Sequence, residues 1–173
     1  RMNPLGLDGL LRHDAEKVKT GNMFMDLSIK LVNFCQLHHI IVTLENPRSS
    51  FLWRCPQMRR CLDGGHKINL DFCCFGMKWL KPTTVAVWGT NALDDLGQQC
   101  GFRSNKYICT HSGKRHMILQ GTAPGGMRLT LLAQPYPHKL VNLYAKLITE
   151  RFEIVNSRNQ SASFLARTHV SCV

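Results

Sequence analysis

The chain has 173 residues, of which 44% are apolar, and its 22 Lys and Arg against 11 Asp and Glu leave a net charge of +11. This length suits one domain with its own core, and no apolar run approaches the roughly 20 residues of a membrane-spanning helix. The order of segments in a secretory signal peptide is also missing, so we expect no membrane partner. The positive surplus favours nucleic acid as partner, because each neutralised phosphate releases bound counterions.

The eight cysteines indicate the compartment. A disulfide framework is typical of small secreted domains, whereas this chain is long and apolar enough to form a core without cross-links. We therefore expect a reducing, intracellular setting, with nuclear and cytoplasmic location both open, and buried thiols with one metal site at most. Because the chain begins at Arg1, we interpret it as a piece of something longer.

The N-terminal part predicts two helices and a strand. Residues 11–19 form a mixed-charge helix that Gly21 ends, and a second helix runs from Asn22 to about His38. Its three-and-four spacing predicts a buried stripe, and the following 39–45 segment is a β-branched run without alternation, as in strands covered on both faces of a parallel sheet. The predicted stripe consists of Phe24, Leu27, Leu31, Phe34, Cys35 and His38, and it is widened by Met23, Ile29 and Val32.

The remaining elements follow from local patterns. Residues 67–75 and 83–89 predict the two strands of a hairpin, and 137–155 a long helix. Shorter predicted elements are a Ser-capped helix at 49–62 interrupted by Pro56, a helix at 91–100, and a strand at 127–134 within an irregular, basic, Cys/His-containing insert at 101–134. Together they predict an α/β fold, an incomplete Rossmann-like three-layer sheet in a single domain over 1–155, followed by a polar tail at 156–173.

The predicted strand ends at Glu45-Asn46-Pro47, the edge where open α/β sheets bind ligands. With DFCCFGMKWLKPTTVAVWG at 71–89, this motif resembles the second half of the DNA cytosine-5 methyltransferase catalytic domain. It is most similar to divergent retroelement-associated or stand-alone relatives that carry ENP in place of ENV. The resemblance covers about residues 5–147 through short motifs. It implies that Glu45 grips the ring nitrogen and exocyclic amine of a flipped-out cytosine and that Asn46 holds the turn.

The same resemblance places Trp79 and Lys81 in the nucleic-acid-binding hairpin segment, with Lys81 on the first of two family arginines. The remaining nucleic-acid-binding candidates are basic: Arg48, Lys78, Lys114 and Arg115. The family's Phe-x-Gly-x-Gly turn and Pro-Cys nucleophile do not occur in residues 1–44. S-adenosylmethionine binding and methyl transfer are therefore expected only if an upstream segment or partner chain completes the fold.

A second constellation consists of Cys100, Cys109, His111 and His116. Four soft or borderline ligands in a region poor in regular structure predict a tetrahedral Zn²⁺ site, although the spacing matches no common zinc finger. Scattered thiols with exposed imidazoles are the competing interpretation.

Two functions stay open at this point. One is the substrate-side half of a cytosine-5 methyltransferase-like protein, inactive on its own. The other is a non-catalytic basic α/β module, binding or structural, in a nucleoprotein assembly and stabilised by zinc, in which Glu45 only caps the following helix.

Overall fold

A computed structural model describes the protein over residues 3–101 and 107–169, with side chains up to residue 155. The parts of the predicted insert and tail at 102–106 and 170–173 lie outside the described residues. Three helices and three strands carry the fold. They are α1 (Arg12–Leu37), β1 (Val42–Pro47), α2 (Pro56–Cys61), β2 (His66–Asp71), β3 (Pro82–Trp88) and α3 (His138–His169).

The strands form one small sheet in the order β1-β3-β2, in which the central β3 is antiparallel to both neighbours. The predicted hairpin is therefore confirmed, with its first strand ending at Asp71 because Phe72–Phe75 form a 3₁₀ turn. The parallel, doubly covered strand predicted at 39–45 is wrong, since β1 is a half-buried edge strand. The fold is mixed α/β with an open antiparallel sheet, and the finer Rossmann-like three-layer arrangement is not confirmed.

Alternation along the strands divides the core into two clusters. Val85 and Val87 point to what we call the α3 face, where they pack with Leu140 of α3 and the 3₁₀ turn after β2. Ala86 and Trp88 point to the α1 face, where they pack with residues of α1 and α2. The sheet thus places two separate environments back to back.

The α1 helix corrects two predictions. It runs unbroken through Gly21, whose cost of about 1 kcal/mol in a helix interior does not end it. Four residues of the predicted stripe are at least 50% exposed: Phe24, Leu27, Leu31 and Phe34. Of the residues predicted to widen it, Val32 is buried, and so is Met25, which the prediction did not include. Apolar residues surround much of this helix, so the sheet and α2 select a face that periodicity alone did not identify.

Several shorter predictions also change. The predicted helix at 49–62 divides at Pro56 into a 3₁₀ turn and α2, as the proline indicated, and Ser50 caps the turn by accepting from Leu52 N–H. The predicted strand at 127–134 is instead a 3₁₀ turn, and the helix at 91–100 is reduced to three residues. The α3 helix continues to His169, past the predicted start of the tail. Among the described residues, no helix has the length and apolar character needed to cross a membrane.

Candidate metal centre and strand-end site

Four side chains on the α3 face bring their ligand atoms within 4.8 Å of one another: Cys73, Cys100, Cys109 and His116. All four are buried. The Cys100 Sγ lies 3.9 Å from Cys109 Sγ and 3.8 Å from His116 Nε2. Tetrahedral zinc with three thiolates and one imidazole requires separations of roughly 3.6–3.8 Å between ligand atoms. The cluster can therefore hold a metal ion with little rearrangement.

Different segments position these ligands. Cys73 lies in the 3₁₀ turn after β2, and Cys100 follows the turn at Asp94–Leu96. Cys109 and His116 flank a short antiparallel bridge between Ile108 and Arg115. Cys109 N–H donates to Lys114 O at 2.9 Å, and Gly113 N–H donates to Cys109 O at 2.8 Å, in a tight turn that the positive φ of Gly113 permits. The cluster thus ties the irregular segment to the sheet.

The thiols of the cluster differ in acidity. Burial raises the pKa of Cys73, and the neighbouring Cys100 and Cys109 raise it further. Burial also acts to raise the pKa of Cys109, but hydrogen bonds from Ser112, the His111 backbone and His116 outweigh it and lower the pKa to about 6. Cys109, whose pKa is lowered, can bind a metal cation as a thiolate, and coordination of the cation would then deprotonate Cys73.

Three of the four ligands predicted from sequence, Cys100, Cys109 and His116, come together in this cluster. His111 does not join them, since its side chain is exposed and only its backbone N–H reaches Cys109. Cys73 takes its place. Sequence spacing missed Cys73 because this residue lies in the connection between β2 and β3, far from the other ligands in the chain.

Glu45 lies two residues before the end of β1, paired with Val85 on the α3 side of the sheet. Its Oε2 accepts a hydrogen bond of 3.0 Å from the hydroxyl of Tyr136, a residue that the sequence did not single out. Its Oε1 is buried and has no hydrogen-bond partner among the described residues. Burial, and then the hydrogen bond and charge of Glu45, raise the pKa of Tyr136 to about 12. One oxygen of Glu45 is therefore engaged and the other is an unused acceptor.

Asn46, the second predicted catalytic residue, lies apart from Glu45. Successive strand residues point to opposite faces, and Asn46 lines a cleft of about 620 Å³ on the α1 face. Leu44, Phe24 and Phe51 also line this cleft. The two predicted catalytic side chains are therefore adjacent in the chain but face different environments.

Arg48 connects the strand end to the metal centre. Its Nη2 donates to Leu70 O at 3.1 Å and to Asp71 Oδ1 at 2.8 Å. The other carboxylate oxygen of Asp71, Oδ2, accepts the backbone N–H of Cys100 at 2.8 Å. Asp71 thus binds both Arg48, a predicted nucleic-acid-binding residue, and Cys100, a candidate metal ligand.

The other predicted nucleic-acid-binding residues fall into two groups. Lys81 is held internally, because its Nζ donates to Ala133 O at 3.0 Å and lies 4.5 Å from the centre of the Phe72 ring. The indole of Trp79 is half-buried, and its Nε1 has no partner among the described residues.

Three predicted residues, Lys78, Lys114 and Arg115, are exposed. We call them the basic loop. Met117 N–H donates to Lys78 O at 2.7 Å, which brings Lys78 next to the segment that carries the other two. His116 follows Arg115 directly, so the basic loop is adjacent in the chain to a candidate metal ligand.

Comparisons with protein-family models, with curated proteins and with solved structures found no match.

Proposed function

We propose that the chain is the substrate-side half of a cytosine-5 methyltransferase-like, nucleic-acid-binding protein, in which Glu45 receives an unpaired cytosine. The observation that carries this proposal is the buried Oε1 of Glu45, which has no partner among the described residues. A buried acceptor left without a donor costs about 1–3 kcal/mol, which a donor from a bound base would recover. The ring nitrogen, once protonated, and the exocyclic amine of cytosine offer donors to a carboxylate.

Two further features support the proposal. The chain has a strand ending in Glu-Asn-Pro, then a helical segment and then an antiparallel hairpin, which is the order of elements that the resemblance implies. The basic loop and the net charge of +11 suit contact with phosphates.

The cleft beside Asn46 does not fit S-adenosylmethionine. None of the described residues that line the cleft beside Asn46 carries a carboxylate, the group that commonly holds ribose hydroxyls. Cofactor binding and the nucleophile are accordingly assigned to an upstream segment or a partner chain, and this half is inactive alone.

Base recognition is tested by fluorescence anisotropy with single-stranded 21-mers of dT or rU, each with and without one central cytosine. We expect the cytosine-containing strand to bind about 5- to 100-fold more tightly than the strand without cytosine. Glu45→Gln should abolish this preference. The matched control Glu153→Gln removes an exposed acid on α3 and should keep the preference. An unchanged cytosine preference in Glu45→Gln would refute the base-binding role, and the DNA and RNA strands together identify the nucleic acid.

Phosphate contact is tested separately by reversing charge in the basic loop. Lys114→Glu and Arg115→Glu should each weaken binding of every strand and reduce the slope of log affinity against log salt by about 1. Lys19→Glu makes the same charge change on exposed α1 and should have a much smaller effect. Equal effects of all three variants would indicate a response to net charge alone.

A second candidate function is a zinc-stabilised binding or structural module without catalysis. The buried cluster of three thiols and one imidazole favours it, and Zn²⁺ is the divalent ion that this ligand set and geometry suit best. In this case chelation of zinc abolishes nucleic-acid binding, whereas Glu45→Gln leaves both affinity and base preference unchanged.

A further inference from the structure

Asp71 makes a buried bridge between the metal centre and the strand end. Its side chain is 3% exposed, and each carboxylate oxygen has one partner from a different segment. Oδ1 accepts from Arg48 Nη2, directly after β1, and Oδ2 accepts from the N–H of Cys100, both at 2.8 Å. The backbone N–H of Asp71 also donates to Gln98 O at 2.9 Å, so the ligand segment is held twice.

We propose that Asp71 is a positioning residue through which metal binding fixes the segment 45–48, the last three residues of β1 and the first residue of the turn that follows. This inference rests on the zinc assignment above. A buried carboxylate with two charge-assisted hydrogen bonds orients both of its partners. Mutation of residues that hydrogen-bond around metal ligands typically lowers metal affinity by about 10- to 100-fold. Zinc bound to the Cys100 thiolate would fix the Cys100 backbone, whose N–H donates to Asp71. Asp71 in turn accepts from Arg48 and fixes its position.

This segment is short and closely tied, so a shift at Arg48 reaches its neighbours. Arg48 N–H donates to Pro82 O at 3.0 Å, which joins the segment to β3. Trp53 Nε1 donates to Pro47 O, also at 3.0 Å, on the residue directly before Arg48. Trp53 therefore reports on the segment. Trp88, buried and bonded through Nε1 to Cys61 O at 3.0 Å, is an internal reference within the same cluster on the α1 face.

The first test is a double-mutant cycle for zinc affinity on the full chain, using Asp71→Asn and Arg48→Met. We expect Asp71→Asn to weaken zinc binding by about 10- to 100-fold. Arg48→Met should weaken it less, and the double variant should bind zinc no more weakly than Asp71→Asn alone, because both changes break one pathway. Thr84→Val removes a buried hydroxyl that donates to Asn69 at 2.6 Å, away from the metal, and should leave zinc affinity unchanged.

The second test is ¹⁹F NMR of 5-fluorotryptophan-labelled protein at saturating zinc, with Trp53 assigned by Trp53→Phe. Relative to wild type, the Trp53 resonance should move in Asp71→Asn and in Arg48→Met but not in Glu153→Gln, which changes an exposed acid on α3, and the Trp88 resonance should stay in place. This comparison uses only metal-loaded protein, so it does not depend on how the metal-free chain folds.

Additive losses of zinc affinity in the cycle, or an unmoved Trp53 resonance in Asp71→Asn, would overturn the coupling. Absence of zinc binding in wild type would overturn the metal assignment and this inference together. A failed cytosine preference with intact coupling would count against the nucleobase-binding function alone, because neither test above uses nucleic acid.

Discussion

The two faces of the sheet differ in how completely their apolar surface is covered. On the α3 face, strand residues, the Cys/His cluster and α3 form a closed core. On the α1 face, Met25 and Val32 are buried, but Phe24 and Phe34 of the same helix are 64% and 55% exposed, and a cleft lies beside them. Clustered exposed apolar side chains are unusual on a monomer. The comparison shows that the α3 face has a candidate cross-link in its Cys/His cluster, whereas the α1 face has large apolar side chains that the described residues leave exposed.

If the Cys/His cluster binds zinc, loss of the ion should have the largest effect on the α3 face. Structural zinc sites bind with roughly 10–16 kcal/mol, so we expect chelation or Cys100→Ala to cost about 5 kcal/mol of unfolding free energy or more. For a domain of this size, that corresponds to a fall in Tm of roughly 10–20 °C. Thermal unfolding with and without a chelator measures this change, and metal analysis gives the stoichiometry.

Cys55→Ala is the control, since Cys55 is also a buried thiol but belongs to the α1 face. It should cost about 1 kcal/mol and leave the response to chelator intact. A Tm that chelation does not change would mean that the α3 face is held without metal.

Two substitutions in α1 test which side of this helix is buried on the α1 face. Met25→Ala opens a cavity under a residue that is 5% exposed and should cost about 2–5 kcal/mol. Phe34→Ala removes a larger side chain from the exposed side and should change the free energy of unfolding by at most about 0.5 kcal/mol. Urea denaturation compares them. The reverse ranking would show that the helix buries the stripe that periodicity predicted.

A smaller effect is expected at the strand end at alkaline pH. Because the pKa of Tyr136 is raised to about 12 from its ordinary 10.0, the fold favours the protonated phenol. The resulting stabilisation is fully present below about pH 10 and is lost as pH rises through about 12. Ultraviolet titration should therefore show one of the three tyrosines ionising last.

Two variants test the assignment of this late step. Tyr136→Phe should remove the step, and Glu45→Gln should move it toward pH 10 because the neighbouring negative charge is gone. A late step that persists in Tyr136→Phe would assign it to another tyrosine.

The hairpin and the helix breaks at Pro56 were predictable because they depend on local chemistry, namely alternation and the missing proline N–H. The pairing of β1 was not, since a β-branched run fits a buried parallel strand and a half-buried antiparallel one equally well. The buried side of α1 failed for a similar reason, because Met25 and Phe24 are neighbours on a helix that is apolar over much of its circumference.

The candidate metal centre was likewise only partly predictable from local sequence. Cys100, Cys109 and His116 could be found by spacing because they lie in one segment. Cys73 could not, since only the antiparallel return of β3 and the turn after β2 bring it to them. Likewise, Tyr136 contacts Glu45 and Asp71 contacts Arg48, in both cases between residues far apart in the chain. No local sequence motif predicts either contact.

The identity of the fourth ligand tests the central claim most directly. Visible absorption of Co²⁺ bound in place of zinc, titrated into wild type, Cys73→Ser and His111→Ala, reports both stoichiometry and thiolate coordination. We predict one tetrahedral ion per chain in wild type and in His111→Ala, with loss of a thiolate charge-transfer contribution in Cys73→Ser. An unchanged spectrum in Cys73→Ser together with a changed one in His111→Ala would contradict the metal centre described above.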